Sequence, residues 1–133
     1  MNKKKFISKY IENFCKEIKS GESQTNQLLD TVNLIKRITS NNSIHIFGNG
    51  GSASIASHFS MDLTNNSKIK CLSYNDPAII TCYANNFQFE NWISRAIEKY
   101  GRKNDILILI SSSGKSKNMV NGLKSARLKK FKK

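Results

Sequence analysis

Apolar residues recur at helical spacing through the first third of the chain and then gather into short continuous runs. Phe6, Tyr10 and Phe14 stand four apart, with Ile7, Ile11 and Ile18 beside them. This spacing predicts an amphipathic helix over Lys3 to Lys19, ended by Ser20-Gly21. A second helix is predicted from Ser23 or Thr25 to about Ser40, with Leu28, Val32, Ile35 and Thr39 on one face and Leu29 and Ile38 flanking. Asn41-Asn42-Ser43 then turns the chain into Ile44 to Phe47, short, β-prone and mostly apolar, which reads as a buried strand.

Behind that strand, Gly48-Asn49-Gly50-Gly51-Ser52 opens a helical run to Leu63, with Ser52 as the expected N-cap. Ile55, Phe59 and Leu63 are expected to pack inward, while His58 and Asp62 share another face. Thr64 to Lys68 reads as a polar turn and Lys68 to Tyr74 as a second strand. Asp76-Pro77 is a cap followed by proline at the first helical position, predicting a helix to about Asn85. Another follows over Glu90 to Tyr100, with Trp92, Ile93, Ala96, Ile97 and Tyr100 as its apolar stripe; Trp92 and Phe89 are expected in the core or at a subunit interface. The aliphatic run Ile106 to Ile110 predicts a buried central strand of a parallel sheet. It ends in Ser111-Ser112-Ser113-Gly114-Lys115-Ser116, and a final helix begins near Asn118. Alternation of strands and helices gives an α/β fold, with residues 1–42 as N-terminal helices and 43–133 as the sheet-bearing segment.

Composition narrows the class. One domain's worth of chain, 133 residues at 38% hydrophobic, suffices for one core. No apolar run approaches the roughly 20 residues of a membrane span, and no apolar segment follows the basic N-terminus as in a secretory signal. Cys15, Cys71 and Cys82 are odd in number and form no C-x-x-C, so reduced thiols in a cytoplasmic protein are expected. The net charge of +13 raises nucleic acid as a partner. The excess is lysine gathered at the two ends, from Lys3 to Lys9 and from Lys124 to Lys133, with no interleaved aromatic platform for bases. Solvated ends that steer anionic substrates are the expectation.

The chemistry lies in the two loops. Gly48, Gly50 and Gly51 permit a tight turn with bare N–H groups, and a helix N-terminus points its positive end at the same spot. Such a cradle takes a phosphate, though a glycine–serine turn can also be a simple connector. Gly48 to Ala53 also satisfies the dinucleotide pattern G-x-G-x-x-A. That pattern wants an acid about 20 residues on, where Lys68 stands; the nearest acid past the next strand is Asp76. The serine loop repeats the strand, small polar loop, helix arrangement, and two such loops at the carboxyl ends of parallel strands favour a phosphate ester. It is no Walker A loop, since Leu109 stands where the first glycine would be. His58 and Asp62 are either a solvated pair or a metal or acid/base pair.

Taken together, Gly48 to Ser52, His58-Phe59, Ala84-Asn85-Asn86-Phe87 and Ser111 to Ser116 resemble the sugar isomerase (SIS) domain, and within it the phosphoheptose (sedoheptulose 7-phosphate) isomerases. The resemblance implies a flavodoxin-like parallel sheet flanked by helices, an N-terminal helical hairpin, and a homotetramer with sites between subunits. It implies that Ser52, Ser111, Ser112, Ser113 and Ser116 hold the phosphate, with Gly50 and Gly51 in the cradle and Asn49 and Asn86 beside the sugar. His58 would be a zinc ligand. Asp62 falls where the family has its catalytic glutamate and would serve as proton carrier and second metal ligand. Asn86 stands where an aspartate is usual. The family continues past the helix after the serine loop, to a glutamine and a zinc-binding histidine that have no counterpart here. The chain thus reads as truncated at its C-terminus, with a sheet edge exposed to association. The implied function is aldose–ketose isomerisation of sedoheptulose 7-phosphate for surface polysaccharide such as lipopolysaccharide. The alternatives are a non-catalytic SIS module, binding a sugar phosphate or a replication initiator, and a small dinucleotide-binding domain.

Overall fold

The computed structural model describes residues 2–132, together with all their side chains except those of Ser20, Glu22 and Ser23. Met1 and Lys133, the outer ends of the two expected segments, lie outside the described residues. The chain divides between Arg37 and Ile38 into two compact units.

The first unit holds α1 (Lys3–Ser20) and α2 (Thr25–Lys36), joined by a 3₁₀ turn over Gly21–Gln24. Asn2 caps α1 through its side-chain oxygen, which accepts from the amides of Lys4 and Lys5. The apolar stripe read from the sequence is present, but Phe6, Ile7, Tyr10, Ile11, Phe14 and Ile18 are all more than half exposed. No described residue of α2 is buried.

The second unit is a three-stranded parallel sheet with helices. Its elements are β1 (Ile44–Gly48), α3 (Gly51–Ser67), β2 (Cys71–Ser73), α4 (Pro77–Phe87), α5 (Trp92–Tyr100), β3 (Ile106–Ile110) and α6 (Lys117–Leu128). The order is β2-β1-β3. The central strand is therefore β1, every residue of which is buried. Among the described residues the aliphatic β3, expected at the centre, pairs with β1 alone, from Ile44↔Ile106 to Gly48↔Ile110. Its residues from Leu107 to Ile110 are only partly buried. Two-sided apolarity marks a strand covered on both faces; it does not say how many strands flank it.

Phe47, Trp92, Ile93, Ala96, Ile97, Met119 and Ala126 form the core between the sheet, α5 and α6. Trp92 stands edge-on to Phe47, its ring centroid 5.5 Å away, so the expected core role of Trp92 holds. Phe89, by contrast, is half exposed.

Two further readings are corrected. The N-cap of α3 is Gly50 rather than Ser52, because a positive φ of 54° at Gly50 lets the chain enter the helix earlier than a serine cap would. The face of α3 turned inward carries Ala56 and Ser60, while Ile55 is 57% and Phe59 37% exposed. Small residues let this helix lie close to the sheet, and the Ser60 hydroxyl is satisfied locally by the Ser57 carbonyl at 2.8 Å. The helix also runs through the polar stretch to Ser67 and ends with Lys68 in the left-handed region, which shortens β2 to three residues.

Candidate functional site

The carboxyl ends of β1 and β3 lie side by side, because Gly48 pairs with Ile110 at the end of the ladder. The glycine turn and the serine loop therefore leave the sheet at the same level, which puts two small-residue loops at one edge of a parallel sheet. Glycine is required at the first step. A Cβ on Gly48 would collide with the carbonyl of Ser52 and the amide of Ala53. That closeness folds the turn tightly back over the strand end. The Ser52 amide donates to the Asn49 carbonyl (3.0 Å) and the Ala53 amide to the Gly50 carbonyl (2.9 Å). The Ser52 hydroxyl and the glycine amides are what the turn then offers an anion.

The serine loop is organised by its own hydroxyls. Ser111 Oγ accepts from the Gly114 amide and Ser113 Oγ from the Lys115 amide, both at 3.2 Å. Gly114 takes a φ of 64°, which turns the loop toward α6. Ser116 occupies the N-cap of α6 but makes no capping hydrogen bond through its side chain. Its hydroxyl, like that of the exposed Ser112, is thus open to a ligand.

Asn49, in the glycine turn, and Asn118, at the second residue of α6, bond each other reciprocally. Asn49 Nδ2 donates to Asn118 Oδ1 at 3.1 Å, and Asn118 Nδ2 donates to Asn49 Oδ1 at 2.8 Å. The sequence drew attention to Asn49 and not to Asn118, which is 2% exposed. Asn75 was missed as well. Its Nδ2 reaches the Ala53 carbonyl (2.7 Å), Ser73 Oγ (2.9 Å) and Ser57 Oγ (3.0 Å), tying the first turns of α3 to the end of β2. A lone asparagine just past a short strand was the available signal for such a tie.

His58 and Asp62 lie on α3 beyond the turn. His58 Nε2 is 3.6 Å from Asp62 Oδ2, with side chains 83% and 53% exposed. The pair supplies only two donors toward the three or four that zinc takes from a protein. No group of three or more His, Cys, Asp or Glu able to hold a metal occurs among the described residues. The residues present do not by themselves fit a zinc site. Asn86, on exposed α4, directs its amide to Cys82 Sγ at 3.6 Å. The cysteines are all free; burial pushes the Cys71 thiol up to about 11, which makes it an inert core group. Asp76, the nearest acid past β2, is engaged as the α4 cap, accepting from the amides of Ala78 and Ile79.

A second polar cluster, overlooked by the sequence reading, joins residues near the amino ends of β1 and β3 to one just past β2. His45 lies between Tyr74 and Asp105, with Nδ1 2.8 Å from Tyr74 Oη and Nε2 2.9 Å from Asp105 Oδ2. Asp105 also accepts from the Ser43 and Arg102 amides and from Asn42 Nδ2. Burial alone would raise the Asp105 carboxyl, but these donors outweigh it and hold the group below its ordinary range. Burial lowers His45, and the hydrogen bond and charge of Asp105 only partly restore it.

The fold is that of an α/β protein with two small-residue loops at the carboxyl edge of a parallel sheet. The chain belongs to the SIS domain family, which matches residues 9–132. It is similar to the phosphoheptose isomerase of Helicobacter pylori strain P12, 40% identical over 116 residues, covering 82% of this chain and 60% of that protein. The phosphoheptose isomerase of Glaesserella parasuis serovar 5 is 39% identical over 90 residues, 64% of this chain and 47% of that one. The chain thus spans about half to three-fifths of the length of these curated relatives. Solved phosphoheptose isomerases from Francisella tularensis and Neisseria gonorrhoeae share the fold, with TM-scores of 0.89 and 0.86 at 23% and 22% identity. Each alignment takes in 98% of this chain and 72% of the other.

Proposed function

We propose that this chain binds a sugar phosphate between the Gly48–Ser52 turn and the Ser111–Ser116 loop, and that it serves an aldose–ketose isomerase acting on sedoheptulose 7-phosphate. The observation that carries this reading is the adjacency of the two loops at the Gly48↔Ile110 end of the ladder. The hydroxyls of Ser52, Ser112 and Ser116 and the loop amides take the phosphate. The names of the relatives supply the seven-carbon sugar.

In this reading Asp62 moves the proton. As a carboxylate it takes a hydrogen from the carbon beside the substrate carbonyl, and the resulting enediol is reprotonated on the neighbouring carbon. His58, one turn away, polarises or protonates the oxygen that gains charge. Zinc at His58 and Asp62 would need further donors from outside the described residues, so no step is routed through it. The product would feed heptose-containing surface polysaccharide from the cytoplasm. No helix among the described residues is long and apolar enough to cross a membrane. The exposed apolar face of α1 supports assembly with other copies of the chain, as a tetramer by family resemblance.

The test is thermal unfolding with and without sedoheptulose 7-phosphate, beside a discontinuous isomerase assay. A ligand-dependent rise in Tm with turnover is expected. A rise without turnover would reduce the function to binding, and no rise would remove the phosphosugar reading.

A further inference from the structure

The parallel ladder between β1 and β3 ends at Gly48↔Ile110. Beyond it one strand leads into the glycine turn and the other into the serine loop. Among the described residues, the hydrogen bonds that tie the glycine turn to the chain just after the serine loop are the two between Asn49 and Asn118, the latter two residues past Ser116. The partners are 69 positions apart, and each gives one N–H and receives one, closing a ring of two amides. Asn118 sits at the second residue of α6, almost fully buried, and its side chain faces the turn rather than solvent. A buried polar group in such a place is costly unless it is bonded, and both polar atoms of this side chain find their partner in Asn49.

We propose that Asn118 is a positioning residue: through Asn49 it sets the separation of the two anion-binding loops, and so the width of the phosphate crevice. The inference rests on the phosphosugar reading for its consequence and on the amide ring for its geometry. An amide is the fitting side chain here. A carboxylate at 118 would oppose the phosphate, a cation would compete for it, and an aliphatic group would strand both polar atoms of Asn49. The neutral ring fixes the distance and adds no charge. Asn49 keeps its second N–H and its second lone pair for the sugar.

The experiment combines two readouts on wild type, Asn49→Ala, Asn118→Ala and the double variant. The first is affinity for sedoheptulose 7-phosphate by calorimetry. Asn118→Ala is expected to weaken binding about tenfold, the scale of one or two net hydrogen bonds. The double variant should bind no more weakly than the weaker single one, because both remove the same tie. Additive losses, or a lowered Tm with unchanged affinity, would overturn the proposal. The second readout is hydrogen exchange of ligand-free protein. Asn118→Ala should accelerate exchange in both 49–53 and 111–116; acceleration confined to α6 would overturn the proposal. If wild type binds no sugar phosphate, the phosphosugar reading falls while the exchange result still decides the clamp. Should Asn118→Ala fail to fold, Asn49→Ala, at a half-exposed position, carries the same exchange test, with acceleration expected in 111–116.

Discussion

His45 Nε2 lies 2.9 Å from Asp105 Oδ2, with both side chains buried, and this contact fixes the protonation of the ring. A carboxylate can only accept, so Nε2 carries the proton. In the neutral ring Nδ1 is then the acceptor for the Tyr74 hydroxyl. The three residues join the starts of β1 and β3 to Tyr74, just past the carboxyl end of β2. The cluster is a fastening of the fold, separate from the proposed chemistry.

Stability should therefore fall in acid. The His45 pKa is lower folded than unfolded, so its contribution is complete above the unfolded value of 6.5 and is lost as pH falls through it. Asp105 is likewise lowered, and its contribution is lost further down, as pH falls below the ordinary carboxylate value of 3.8. Melting curves from pH 8 to 5 should show a declining Tm for wild type. In His45→Gln, which cannot take up the proton, the decline over this range should be flatter. Asp105→Ala should cost about 3 kcal/mol or more, since it strands the Ser43 and Arg102 amides and leaves His45 Nε2 without its partner.

Gly48→Ala should be among the more damaging single changes. Its Cβ meets backbone atoms of Ser52 and Ala53, which cannot swing aside as a side chain can. A loss of about 2–4 kcal/mol is expected, read by urea unfolding, with sugar phosphate affinity falling alongside because the turn must open.

Ser116→Ala separates binding from stability. Serine at an N-cap usually contributes about 1 kcal/mol through its side chain, but this hydroxyl makes no capping bond. The Tm should stay within about a degree or two of wild type, while affinity for sedoheptulose 7-phosphate drops several-fold. A large fall in Tm with unchanged affinity would assign the hydroxyl to the fold instead.

Asp62→Ala should leave the melting temperature unchanged, since the side chain is exposed and its His58 contact is long. Turnover of sedoheptulose 7-phosphate should fall about 100-fold or more if the carboxylate moves the proton. Activity persisting undiminished would remove Asp62 from the chemistry.

Substituting Ile11 and Phe14 by aspartate should shift the sedimentation behaviour of the protein toward smaller species. Both lie on the exposed apolar face of α1, where charge would oppose burial against another copy. An unchanged sedimentation coefficient would leave that face without a role in assembly.

Much of the fold could be read from the residues. The aliphatic run gave the bounds of Ile106–Ile110, and Asp76-Pro77 marked the start of α4, because both signals are local. Errors arose where burial depends on partners elsewhere in the chain. Ala56 and Ser60 were passed over in favour of Ile55 and Phe59, because hydrophobicity says nothing of how close a helix must lie to a sheet. The helix start at Gly50 was missed because a glycine cap leaves no side-chain signature. At the site, both loops were legible from composition, but the pairing of Asn49 with Asn118 was not. It links residues 69 positions apart and depends on two strands meeting in register. His45 and Asp105 were overlooked for the same reason, although a histidine inside an apolar strand and an acid just before another were visible in the sequence.

The amide ring between the loops bears on how the protein would respond to its surroundings. Neither asparagine titrates, whereas a phosphate monoester changes from one negative charge to two near pH 6. A crevice gauged by neutral groups keeps its width across that change. Sugar phosphate affinity should then follow the ionisation of the ligand, with the loops acting as a ruler of constant length.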